Sequence, residues 1–127
     1  MSRGRVTETD VRVLKAAWRK HTLKRARERY DVELNPQDYY DMQDRIRFRQ
    51  AMYLQKLRGH RTEWLVLCES LDRVFRVIFS ELHSRIITAL PPPNVDPSIL
   101  KSMYDHHMEK RRDHVVKRWA EDRYKTL

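Results

Sequence analysis

Only two glycines, Gly4 and Gly59, and one cysteine, Cys68, occur in the 127 residues. A P-loop and a dinucleotide-binding turn each need several glycines to bring backbone against phosphate, so both are excluded. The Gly-x-Ser-x-Gly turn of many serine hydrolases is absent too. A lone cysteine cannot form an internal disulfide, and it fits a reducing cytoplasm. No stretch approaches the roughly 20 apolar residues of a membrane span. "MSRGRVTETD" lacks the apolar core of a signal peptide. These absences predict a soluble cytoplasmic protein with no membrane partner.

What is abundant is positive charge. Lys and Arg number 27 against 18 acids, a formal charge of +9, which favours polyanions. Residues 1–34 hold ten basic and five acidic residues, and residues 98–127 hold eight and five. Residues 61–97, with four against five, are the neutral, apolar middle.

Thr7 with Asp10 approximates a capping box, and no Gly or Pro follows Val6 until Pro36. A helix is predicted from about Glu8 to Asp31. Val11, Leu14, Trp18, His21, Arg25 and Arg29 fall on one of its faces, apolar at first and then basic. Leu23, Ala26 and Tyr30 fall on the neighbouring face. Asn35 and Pro36 suit the cap and first position of a second helix, with Tyr39, Met42 and Ile46 spaced for burial. "AMYLQKL" is read as a strand, although it could extend the helix. "TEWLVLC", "VFRVIFS" and "RIITALP" are short β-branched and aromatic runs with short links, which implies an antiparallel meander. After "PPPN", Asp96 and Pro97 open a last helix to about Arg123. Its apolar positions are Ile99, Leu100, Met103, Tyr104, Val115, Val116 and Trp119. The expected fold is α+β: two N-terminal helices on a small curved antiparallel sheet of three to four strands, then a long C-terminal helix. A boundary near residues 93/94 would set a core domain, 1–93, apart from a helical extension, 94–127.

His106, His107 and His114 with Asp105 and Asp113 invite a metal reading. They lack a tight His-x3-His pair or cysteine partners, so a solvated helix is expected, with no metal and no cofactor. Cys68 sits in an apolar run with nothing local to activate it, and reads as core. The basic helix remains. His21 and Arg25 are one turn apart, so both can reach one point. A histidine moves protons near neutral pH, and an arginine grips phosphate and steadies developing charge. That suffices to cut RNA without a metal, because the 2′-hydroxyl is the nucleophile. The bland alternative is a solvated basic surface, which the local pattern alone favours.

The order of segments adds to this. "HTLKRARERYDVELNPQDYYDM", then "RTEWLV", "RVIFS" and "RIITALP", resembles the barnase–EndoU–colicin–RelE group of metal-independent ribonucleases, as found in small phage and prophage toxins. The likeness spans about Val11 to Pro92; "PPPN" and the last helix fall outside it. The resemblance implies a curved antiparallel sheet with helices on one side, and RNA against the basic face. By position it implies catalytic roles for His21, Arg25, Arg61 and Thr88. Arg19, Lys20, Lys24, Arg29, Arg47 and Arg49 would hold RNA. A toxin of this kind implies an antitoxin or host protein as a further partner.

Two other classes compete. A non-catalytic protein could bind nucleic acid, or block a host protein, through basic flanks interleaved with Trp18, Tyr30, Tyr39 and Tyr40. An assembly protein could use its last helix for oligomerisation or partner binding, with Ile99, Met103 and Trp119 at the contact.

Overall fold

Thr7 caps the first helix, α1 (Glu8–Tyr30), through a reciprocal box. The Asp10 amide donates to Thr7 Oγ1 at 3.2 Å, and the Thr7 amide donates to Asp10 Oδ2 at 3.0 Å. A computed structural model describes the backbone of residues 7–125 and the side chains of residues 7–112. Asp31 ends α1 in the left-handed region at φ 54°, which a short polar side chain tolerates. Asn35 and Asp38 repeat the box at the start of α2 (Pro36–Arg47).

The middle forms four strands, β1 (Met52–Lys56), β2 (Arg61–Cys68), β3 (Arg73–Ser80) and β4 (Arg85–Ala89). They pair antiparallel in chain order. "AMYLQKL" is therefore strand, not helix. Trp64, Val66 and Cys68 on β2 and Phe75, Val77 and Phe79 on β3 share one face, as their spacing predicts. With Ile86 and Ala89 of β4, they pack against Ala26 and Tyr30 of α1 and against Tyr39, Met42 and Ile46 of α2.

Of the two faces of α1, the one with Leu23, Ala26 and Tyr30 is packed: Ala26 and Tyr30 are buried together with Thr22, and Leu23 packs against the core. The stripe that begins at Val11 is not buried, and Leu14 is exposed. The cause is length: 23 residues rise about 34 Å, while the five-residue β4 extends about 17 Å. The first turns overhang the strand and have no apolar surface there to meet. Over the C-terminal half, Thr22, Ala26 and Tyr30 are the buried side chains, with Leu23 partly buried against the core.

The helices also take up backbone groups of β4 that β3 does not reach. The Ile86 amide donates to Gln43 Oε1 at 3.0 Å, and the Tyr39 hydroxyl donates to the Ile86 carbonyl at 2.7 Å. Arg29 donates to the Ala89 carbonyl at 2.6 Å. Tyr30 goes further into the ladder: its hydroxyl accepts from the Arg76 amide at 3.0 Å and donates to the Leu90 carbonyl at 2.8 Å. One margin of the sheet is thereby closed, while Tyr53 to Lys56 at the other margin are exposed.

The last helix, α3 (Pro97–Lys125), returns across the opposite face of the sheet. Leu100 and Tyr104 are buried there with Leu65 and Val74, flanked by Met52, Leu67 and Met108. Its first turns thus belong to the same packed unit as the sheet across the expected 93/94 boundary. Ile99 and Met103 lie outside this seam, 55% and 56% exposed. The side chains of Asp113, His114, Val115, Val116 and Trp119 lie outside the described residues.

Candidate nucleic-acid interface

Side chains of cross-strand partners share a face of the sheet. Trp64, Val77 and Ala89 are in register, and all three face α1 and α2. Glu63, Ile78 and Thr88 are likewise in register, and so face the other way. Arg76 pairs with Leu65 on that same far face. Arg61 stands two residues before Glu63, so strand alternation gives it the same side. The buried seam with α3 lies toward Leu65 and Val74. Arg61, Glu63, Arg76, Ile78 and Thr88 have no part in that seam and form the rest of the face.

The polar centre of this surface is an ion pair. Arg76 Nε lies 2.9 Å from Glu63 Oε2, and Gln55 donates to Glu63 Oε1 at 3.1 Å. Glu63 is 5% exposed. Burial alone would raise its pKa, but the hydrogen bonds from Arg76 and Gln55 and the Arg76 charge outweigh it. The carboxyl is held below its ordinary range. An ionised carboxylate buried in this way is tolerated because it is paired. The guanidinium it fixes remains partly open to solvent.

The orientation of α1 follows from its two end contacts. Arg29 reaches Ala89, and the Trp18 ring lies 5.5 Å from that of His83. The helix therefore runs parallel to β4, with His21 and Arg25 between these contacts on the stripe that ends at Arg29. His21 is half-buried. Burial lowers its pKa first, and the charges of Arg25 and Arg29 lower it further, so the neutral imidazole is favoured. Thr88 Oγ1 has a long 3.5 Å contact to the Ala89 carbonyl. No hydrogen bond joins it to His21 among the described residues. The expected constellation is thus split: Arg61 and Thr88 share the far sheet face, while His21 and Arg25 stand on the helix along its margin.

Several residues expected to hold RNA are engaged inside the protein. Arg47 donates to the Ser84 carbonyl at 2.8 Å and to its hydroxyl at 3.0 Å. Arg49 pairs with Glu81 at 3.2 Å and lies over the Trp64 ring. Arg29 holds β4, and Arg25, expected in a catalytic role, pairs with Glu28 at 2.7 Å. These four engagements share one cause: a guanidinium has five donors and finds carbonyls and carboxylates close by. Lys24 makes only a loose 3.9 Å pair with Glu28, and Lys20 is exposed. Arg19 donates to the Tyr40 hydroxyl at 2.6 Å.

Glu63 and Arg76 were not singled out from the sequence. Their signal was present, a lone acid inside "TEWLVLC" and a lone base inside "VFRVIFS", but their adjacency depends on the β2–β3 register. A concavity of about 600 Å³ between the end of α2 and α3 is also arginine-rich. There Arg45 pairs with Glu69, Arg49 with Glu81, and Arg111 donates to the Ala51 carbonyl. Cys68 is buried in the core, its pKa raised by burial.

No family model, curated protein or solved structure matches the chain. Among the described residues, no helix is long and apolar enough to cross a membrane.

Proposed function

We propose that the chain is a metal-independent, toxin-like endoribonuclease that cuts RNA through the neighbouring 2′-hydroxyl. The supporting observation is the far sheet face, where Arg76, fixed by buried Glu63, shares a surface with Arg61 and Thr88. In this reading Arg61 and Arg76 grip the non-bridging phosphate oxygens, and the Thr88 hydroxyl donates to one of them. Neutral His21, at the margin, takes the proton from the 2′-hydroxyl as its oxygen attacks phosphorus. The bond to the 5′-oxygen breaks, and that oxygen takes a proton from water. The products are a 2′,3′-cyclic phosphate and a 5′-hydroxyl.

Purified protein incubated with mixed RNA in EDTA is expected to cut it, leave DNA intact and yield cyclic-phosphate ends. His21→Ala and Arg76→Ala should each lose most of the activity. Cleavage that needs a divalent metal, or that extends to DNA, overturns the mechanism. Full activity in His21→Ala overturns the assignment of the base. The uneven positive charge favours a second reading, binding of nucleic acid without cleavage. It is marked by strongly salt-dependent affinity and intact RNA.

A further inference from the structure

A small cavity of about 150 Å³ lies where α1 meets α2 and the start of β4, remote from α3. Arg12, Lys15 and Arg19 of α1 and Arg85 of β4 line it with Tyr39 and Tyr40 of α2. The first three are spaced i, i+3, i+7, so one side of the overhanging helix carries them all. No carboxylate lines the cavity, and none of the four cations is ion-paired among the described residues. Elsewhere the structure pairs its arginines readily, as with Arg25, Arg27, Arg45, Arg47, Arg49 and Arg76. Four like charges around one hollow repel one another, and an anion seated among them would relieve that cost.

The two tyrosines sharpen the chemistry. Tyr39 donates to the Ile86 carbonyl, and burial pushes its pKa up to about 12 despite the nearby arginines, so it adds no negative charge. Tyr40 accepts from Arg19, which leaves its own hydrogen to donate. We propose that this pocket binds a phosphate group, with Arg19 and Arg85 as gripping guanidiniums and the Tyr40 hydroxyl as a neutral donor. Planar guanidiniums suit the tetrahedral oxyanion better than a carboxylate-free lysine patch does. The site is independent of the cleavage reading. It would hold a phosphate whether or not the sheet face cuts RNA.

The phosphate can come from the backbone of an RNA strand or from a strand's 5′ end. Binding is measured with full-length protein and a 2′-O-methyl hexanucleotide, which cannot be cut, with and without a 5′-phosphate. Inorganic phosphate serves as competitor. Arg19→Gln and Arg85→Gln should each weaken binding roughly tenfold, the scale of a lost charge-assisted hydrogen bond. Tyr40→Phe should weaken it less. Arg58→Gln, an equal charge loss on the exposed β1–β2 turn, is the control and should change little. Circular dichroism of each variant checks that it is folded. Preference for the 5′-phosphorylated strand identifies a terminal phosphate, and equal affinity identifies the backbone. An effect of Arg58→Gln as large as that of Arg19→Gln overturns the pocket in favour of diffuse charge. So does failure of inorganic phosphate to compete.

Discussion

Removing one oxygen atom from Tyr30 tests how the first helix is joined to the sheet. The Tyr30 hydroxyl stands between the Arg76 amide, at 3.0 Å, and the Leu90 carbonyl, at 2.8 Å. Tyr30→Phe keeps the ring, its packing at 4.5 Å on Phe75 and its place under Arg73. The change therefore isolates two hydrogen bonds and leaves a donor and an acceptor unpaired at a residue that is 3% exposed. At about 1–1.5 kcal/mol for each group, the loss is about 2–3 kcal/mol. For a chain of this length, that lowers Tm by roughly 6–15 °C. Tyr39→Phe removes a single bond, to Ile86, and should cost about 1 kcal/mol. Urea unfolding of the two variants, with unchanged m-values, measures both costs. A loss below about 0.5 kcal/mol for Tyr30→Phe, or one no larger than that of Tyr39→Phe, refutes the bridging role.

Three further outcomes are expected. Glu63 has a folded pKa below its ordinary value of 4.5, so its carboxylate contributes stability above that value and loses it as pH falls through the folded pKa. Glu63→Gln should flatten the decline in stability below pH 4.5, and an unchanged acid limb in denaturation would contradict this. His21 is depressed below 6.5, so its protonation favours the unfolded chain and costs stability as pH falls past that value. Its NMR titration midpoint should lie below 6.5 in the free protein, and a midpoint at or above that value rejects the environment described. Cys68, 2% exposed, should resist a thiol reagent in the native state and react promptly in denaturant; equal rates would place it at the surface.

The elements were readable where local chemistry sets them. The boxes at Thr7 and Asn35 mark helix starts without reference to anything distant. Alternation in "TEWLVLC" and "VFRVIFS" sorted the core side of β2 and β3 because both strands are regular. The buried stripe of α1 was less legible, because Thr22, fully buried, is polar and Ala26 is small. The face of Thr88 was hidden by a register shift between Ile78 and Phe79, which leaves Ile87 unpaired and interrupts the alternation of β4. The engagement of Arg47 with Ser84, 37 residues away, and of Arg76 with Glu63, 13 away, depends on tertiary placement that no local pattern encodes.

Because α1 and α2 occupy the outer flank of β4, the hydrogen-bonding lip of this protein is one-sided. Among the described residues, the strand edge open to a second chain is that of β1. Two copies meeting there would each use up the open lip of the described sheet, so strand pairing through it stops at a pair.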